Sequence, residues 1–367
     1  MPITVAHSTK AMPDAIADLA AQCGDRKPKV AVLFCSARYD SAALSRQMQE
    51  TFPDACVAGC TSAGEMVRGK ALNGSVVAMF LDEDVVEDAA AAVVENLSRE
   101  VCVQEAFSKL GRHFQAPVSS LDVRTHVGLV LVDGLSRAEE RLMERIGDAS
   151  DIFFVGGSAA DDEKLECTHV LADGESYTDA AVLVILRLKR GFEIVKTQSF
   201  KPGGKTLVAT KVDEPRRKVI EFDHQPALEA YAAALDVAPE RFATEFVRHP
   251  LGLMIEGDPF VRAPQRVEEH GIIFYSRILQ GMELAVLDTT DIVADTRAAF
   301  EAKVAELGGI RGLIEFQCIS RTRQLRNEDR CGQYGEIFAG IPMIGFSTYG
   351  EAYLGHINQS STMLLFR

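Results

Sequence analysis

Two heptapeptides decide the fold: Gly59-Cys60-Thr61-Ser62-Ala63-Gly64-Glu65 and Gly345-Phe346-Ser347-Thr348-Tyr349-Gly350-Glu351. Each continues an apolar run, carries hydroxyl side chains, and closes on a glycine and a carboxylate. Counted from each glutamate, a glycine follows four residues later (Gly69, Gly355), a serine ten later (Ser75, Ser361) and a phenylalanine fifteen later (Phe80, Phe366). Upstream, Phe34-Cys35-Ser36-Ala37-Arg38 matches Phe316 through Arg321 with one extra residue. Agreement at so many offsets marks an internal duplication of a strand–helix–strand–loop–strand unit. The same grammar recurs in a more diverged middle copy: VGLVLVDG (127–134), FVGGSAADD (154–162) and DAAVLVIL (179–186).

Working outward, VAVLF (30–34), SVVAMFL (75–81) and STMLLF (361–366) are apolar runs of strand length, as expected of strands buried on both faces. Helices are expected from Pro13 to Cys23 and from Asp291 to Leu307, each stopped by glycine. Ser136 and Glu139 have the spacing of a capping box. FEIVKTQSF (192–200) and KTLVATKV (205–212) read as two strands punctuated by Pro202-Gly203-Gly204. A helix is read at Ala227–Leu235, and short strands in PLGLMIEGD, GIIFYS and GMELAVLD beyond it. The expected fold is therefore α+β (mixed α/β), with two related lobes of buried mixed sheets flanked by helices. One domain is expected at 1–222 and the other at 223–367.

Composition narrows the function. The 367 residues are 47% hydrophobic and 25% charged, an ordinary globular balance that excludes disorder and a disulfide miniprotein. Lys plus Arg number 39 against 53 Asp plus Glu, a net charge of −14 that repels nucleic acid and anionic lipid. No apolar run reaches membrane-spanning length and the first residues lack a signal-peptide pattern, so a cytoplasmic protein with no membrane partner is expected. The eight cysteines form no C-x-x-C pair and read as reduced thiols.

In open α/β sheets ligands lie beyond the carboxyl ends of strands, where both heptapeptides fall. Thr61, Glu65, Tyr349 and Glu351 are thereby candidate ligand-binding residues, and Gly350 is expected to need a positive φ. Arg321, at the end of GLIEFQCISR, offers a guanidinium for a ligand carboxylate or for Glu351 itself. Asn358 completes an expected pocket with Arg321, Tyr349 and Glu351, and Arg262 is a further cation of the same kind. Equally open is a reading in which Glu65 and Glu351 only cap backbone N–H groups. No histidine pair has zinc spacing, and Cys60 and Cys318 have no adjacent base, so no enzyme is expected.

Taken together, VAGCTSAGEM (57–66), FVGGSAADD (154–162), PLGLMIEG (250–257), FVR (260–262), FQCISR (316–321) and GFSTYGEAYLGHINQSST (345–362) resemble the FIST family of F-box and intracellular signal-transduction proteins. The resemblance implies a cytosolic sensory module for a small, amino-acid-like ligand, acting through a partner such as a histidine kinase. A sharper version implies a haem b protein that senses nitric oxide, with His356 as the iron ligand. An enzyme using Cys60, Glu65, Cys318 and Glu351 ranks third. The chain ends at Arg367 after the last matching strand, so output through a separate partner protein is expected.

Overall fold

The computed structural model describes residues 2–367. It is a mixed α/β chain whose first repeat contains β1 (Ile3–Ser8), α1 (Asp14–Cys23), β2 (Val30–Ser36), α2 (Ser41–Thr51), β3 (Cys56–Ser62), the short hairpin β4 (Glu65–Val67) and β5 (Lys70–Leu72), and β6 (Val76–Leu81). The second contains β7 (Val86–Glu95), α3 (Gln104–Phe114), β8 (His126–Val132), α4 (Glu139–Ala149), β9 (Phe154–Ser158), the hairpin β10 (Val170–Ala172) and β11 (Glu175–Tyr177), and β12 (Ala180–Leu188). After β13 (Phe192–Gln198) come β14 (Phe200–Asp213), β15 (Lys218–Phe222), β16 (Gln225–Pro226), α5 (Ala227–Leu235), β17 (Leu251–Ile255), β18 (Asp258–Arg262), β19 (Pro264–Glu268), β20 (Gly271–Phe274), β21 (Glu283–Thr289) and α6 (Ile292–Leu307). The third repeat closes the chain with β22 (Gly312–Cys318), α7 (Ile319–Asn327), α8 (Cys331–Gly335), β23 (Met343–Thr348), the hairpin β24 (Glu351–Tyr353) and β25 (His356–Ile357), and β26 (Ser360–Phe366).

Each repeat pairs its first two buried strands in parallel and its last strand antiparallel to the first: β2 with β3 and β6, β8 with β9 and β12, β22 with β23 and β26. The duplication read from the heptapeptides is thus real in strand order and connection, and the middle copy completes a set of three. Each hairpin leaves its own repeat and joins the next sheet. The resulting orders are β1-β6-β2-β3-β10-β11, β7-β12-β8-β9-β24-β25 and β13-β26-β22-β23-β4-β5. The exchange is cyclic, first repeat onto third, second onto first, third onto second.

Ladder register defines equivalent residues. Gly59 faces Leu33, Gly156 faces Val130, and Gly345 faces Glu315. A Cβ at any of the three glycines would collide with the carbonyl of its strand neighbour, so a glycine is needed at each. The same register makes Ser361 the equivalent of Val76, not of Ser75, because the third repeat is one residue shorter between hairpin and last strand. The equal sequence offsets of Ser75 and Ser361, and of Phe80 and Phe366, therefore hide a one-residue shift.

The inner faces of the three sheets share one core that includes Val32, Leu129, Val182, Ile314 and Leu364. Phe34, Phe316 and Phe346 meet there, with ring centroids 4.4 Å (Phe34–Phe346), 6.2 Å (Phe34–Phe316) and 5.9 Å (Phe316–Phe346) apart. Outer faces bury against helices: Leu33, Cys35, Leu44 and Met48 in the first repeat, Val130, Val132, Leu142 and Phe154 in the second.

The chain divides into two compact units. One holds all three repeats: residues up to Lys196, Arg297–His356 and Ser361–Arg367. The other is Thr197–Thr296 with Ile357–Ser360. Its eight-stranded sheet runs β18-β17-β21-β14-β15-β20-β19, with β16 on β15, over a core of Phe222, Tyr231, Phe242 and Phe274. Position 222/223 lies between β15 and β16 of this unit.

Three local expectations change. Pro202-Gly203-Gly204 does not separate two strands; it forms a register shift inside the long β14, where the ladder to β21 skips from Pro202 to Thr206. The capping box at Ser136 is not formed. The Ser136 hydroxyl donates to the Asp133 carbonyl at 2.7 Å, Arg137 takes a φ of 55°, and α4 starts only at Glu139. Gly350 does not have a positive φ; a Cβ there would overlap the His356 ring, and close packing requires the glycine.

Candidate functional site

The carboxyl ends of the parallel strand pairs converge, and Ala63, Ala160, Ile319 and Tyr349 pack together there. Tyr349 donates its hydroxyl to Asp161. The Asp161 carboxylate also accepts the N–H groups of Leu165, Glu166 and Cys167 at 2.9, 2.6 and 2.9 Å. Burial pushes the Asp161 pKa up, but these donors outweigh it and hold it below the ordinary carboxylate range. Tyr349 is therefore a tie between repeats, with its hydroxyl committed. Thr61 is committed in the same way, exchanging bonds with the His169 backbone at 3.0 and 3.4 Å. Ser36 donates to Asp162 at 2.8 Å, and Arg323 reaches Glu163 at 2.8 Å, binding the second repeat to the other two.

Glu65 is fully buried. It accepts the Ser62 hydroxyl on one oxygen, and on the other the Ser75 N–H at 3.0 Å and hydroxyl at 2.6 Å. Burial raises its pKa, and these hydrogen bonds only partly offset the rise. One of these three donors is a backbone N–H and two are hydroxyls. Glu351 is fully buried at the start of β24, opposite Gly157 of the second repeat. Arg321 lies in the first turn of α7 and not on the strand; it is 2% exposed, and its charge acts on Glu315 and Tyr334. Asn358 and Arg262 belong to the other unit. Asn358 accepts the Ser276 hydroxyl, and Arg262, on β18, donates to the Val261 carbonyl at 3.2 Å.

Sequence reasoning missed the residues that form a site. Beneath the exchanged β4–β5 hairpin lies a cavity of about 20 Å³ bounded by Glu65, Met66, Glu315, Gln317, Thr322 and Tyr334, with Met343, Leu325 and Phe338 among its apolar walls. Glu315 sits on β22 with no exposed surface. One of its oxygens accepts the Ser361 hydroxyl at 2.6 Å and the Tyr334 hydroxyl; the other, Oε2, is buried without a partner. Gln317 donates to Thr322 at 3.1 Å, Thr322 meets Ser347 at 2.8 Å, and Gln317 Oε1 is likewise buried and unpartnered. Burial raises the Glu315 pKa, while Ser361, Tyr334 and Arg321 pull it back in part.

An open groove of about 550 Å³ runs over the hairpin and α8, lined by Arg68, Lys70, Leu72 and Glu336. Gly69, Ala71, Cys331 and Gly335 line both spaces. Gly69 and Gly335 touch backbone to backbone, such that a Cβ on either would collide with the other's carbonyl. This glycine pair is the roof between groove and cavity.

The alternatives fare less well. Cys60 is fully buried and its thiol pKa is pushed well up by that burial, which disfavours a thiolate. Among the described residues no group of three or more His, Cys, Asp or Glu is placed to hold a metal ion. His356 is 5% exposed, and its ring packs so closely on Gly350 that a Cβ there would lie 2.7 Å from Nε2. That side of the imidazole has no room for a haem iron, so the residues around His356 do not fit the group. Among the described residues no helix is long and apolar enough to cross a membrane.

Comparison with known proteins matches these features. The FIST N domain profile covers residues 29–225 and the FIST C domain profile residues 227–353. An uncharacterized protein of Methanocaldococcus jannaschii is 24% identical over 277 residues, 71% of this chain and 53% of that protein, so the chain spans about half the length of this curated relative. A solved cyanuric acid hydrolase from A. caulinodans aligns over 100% of this chain and 99% of its own at 9% identity, with a TM-score of 0.40. The two domain profiles together cover most of the chain, which belongs to the FIST family and carries its sensory, signal-transduction domains.

Proposed function

We propose that the protein is a small-ligand sensor, not an enzyme, whose input site is the cavity beneath the β4–β5 hairpin and the groove above it. The observation that carries this reading is the buried Glu315–Gln317 pair, two acceptors without partners beside a cavity closed by one glycine–glycine contact. Buried acceptors left unmatched cost stability, and a ligand that supplies donors recovers it. Entry between Gly69 and Gly335 displaces the hairpin, which is edge-paired to β23 over only three residues. A short exchanged hairpin is a weakly held element and suits a signal read by a partner protein such as a histidine kinase in the cytoplasm.

Hydrogen exchange tests this. The small-molecule filtrate of the cells that express the protein is expected to change amide protection at residues 65–72 and not at 170–177. Gly335→Val is expected to abolish the change. An unchanged 65–72 segment, or an equal response at both hairpins, overturns the site.

A further inference from the structure

We infer that the cavity beneath the β4–β5 hairpin is a Cu(I) site formed by Met66, Met343 and Cys331, an inference that rests on the sensor site proposed above and names its ligand. Three sulfur side chains border this one small space. Met66 on β4 lies opposite Gly345 of β23, and Met343, two residues before that glycine, is its diagonal neighbour on the same face of the sheet. Both methionines are buried. The Met66 sulfur accepts from Gln317 Nε2 at 3.9 Å. Cys331, at the start of α8, is half-buried and lines both the cavity and the groove.

The other two repeats show that the fold does not ask for these thioethers. Ladder register makes Leu171 and Ala352 the equivalents of Met66, and Val57 and Phe154 the equivalents of Met343. All four belong to the apolar layers beneath the helices. The third repeat sets methionine at both positions, in the same layer as the unpartnered acceptors Glu315 Oε2 and Gln317 Oε1. Methionine is a good filler of irregular gaps, yet these two border a gap that stays open.

Arg321 already sets a positive charge against Glu315, so charge does not choose the occupant; the softness of the donor atoms does. Thioether and thiolate sulfur select Cu(I), whereas zinc, magnesium and calcium take imidazole, thiolate or oxygen ligands. The cavity, about 20 Å³, holds one water-sized body, which suits a bare ion. Burial raises the Cys331 pKa, which disfavours a redox thiol and keeps its proton in place until a metal displaces it. On binding, the Cys331 S–H bond breaks, an S–Cu bond forms, and the proton leaves to solvent. Copper stays Cu(I), and the net charge is unchanged. Glu315 Oε2 and Gln317 Oε1 then face a cation, which serves their lone pairs without a hydrogen.

Anaerobic titration of the full chain with Cu(I), in competition with the chromophoric Cu(I) chelator bicinchoninate, decides it. A Cys102→Ser/Cys167→Ser background removes the two exposed thiols. One Cu(I) per chain is expected to be held, with three sulfur ligands by X-ray absorption, and Zn(II) is expected not to displace it. Met66→Leu/Met343→Leu, a size-conserving pair, and separately Cys331→Ser, each shown folded by circular dichroism, are expected to weaken Cu(I) binding at least about tenfold. No Cu(I) held against the chelator, displacement by equimolar Zn(II), nitrogen and oxygen ligands only, or unchanged affinity in either folded variant overturns the inference. The sensor site fails separately. If Cu(I) binds these sulfurs and exchange at 65–72 does not change, the copper site stands and the sensor reading falls. If the cell filtrate still alters exchange at 65–72 in excess bathocuproine disulfonate, the sensor site stands and the copper ligand falls.

Discussion

In the first repeat, Leu33 and Cys35 project from β2 into an apolar layer with Leu19, Leu44 and Met48 beneath the helices. In the third repeat the same ladder positions are Glu315 and Gln317, and Tyr334 and Thr322 come down from the helices to meet them. The second repeat sides with the first, with Val130 and Val132. One backbone plan thus holds two apolar layers and one polar, cavity-bearing layer. Since the plan tolerates an apolar filling twice, the fold does not require Glu315. Its burial is a cost, and such costs persist where a site has work to do.

The comparison breaks first at Leu33. Leu33→Glu places a carboxylate among aliphatic side chains that offer no donor, and the loss should be at least about 3 kcal/mol, enough to unfold a marginal domain. Urea denaturation checks it; a variant of near wild-type stability would erase the distinction between the layers.

Next comes the roof. Gly335→Val drives a side chain into Gly69 and should cost about 1–3 kcal/mol, while Gly332→Ala, with nothing within 4 Å of its Cβ, should cost nothing and gain up to about 1 kcal/mol from helix propensity. Thermal melts of the two variants sharpen the assignment of the contact. If Gly335→Val melts like wild type, the glycine pair is not a seal.

Titration supplies a subtler test. Burial lifts the Glu315 pKa in the folded chain above its ordinary 4.5, so the folded state holds that proton more tightly than the unfolded state. The stabilising contribution is complete below pH 4.5 and is lost as pH rises through the folded value. Relative to wild type, Glu315→Gln should therefore gain stability across that rise and gain none below it. A difference that stays flat with pH would mean Glu315 ionises as it does in water.

The smallest effect belongs to the second repeat's hairpin, where Lys109 reaches Asp173 at 2.8 Å with both side chains about half exposed. Asp173→Asn should change stability by less than about 0.5 kcal/mol and only at low salt. A larger loss would mean that hairpin is held by its tip and not by its strand pairing to β3.

Much of this was legible in the chain, and the failures are instructive. The heptapeptides announced the duplication because two copies kept the same spacing from glycine to glutamate. The second copy hid itself by spending residues 159–169 on a loop with positive φ at Asp162, Glu163 and Leu165, which destroys the offsets. The exchange of hairpins is long-range, and strands of three residues leave no periodic pattern. At the site, Glu65 stood out beside glycines, but Glu315 and Gln317 lay inside an apolar run that reads as an ordinary buried strand. Their separation by two residues, which puts both on one face, was the available signal. Nothing local could have brought Tyr334 or Ser361 to them.

The central claim, that the polar layer of the third repeat is kept for binding at the expense of stability, meets its most direct test in a graft. Glu315→Leu and Ser361→Val install the residues found at the equivalent positions Leu33 and Val76, and Tyr334→Phe removes the hydroxyl that would lose its acceptor. The urea midpoint of this triple variant at neutral pH should exceed that of wild type, by an amount corresponding to about 1–4 kcal/mol. A midpoint below wild type would show that the Glu315 network holds the fold together, and would contradict the account.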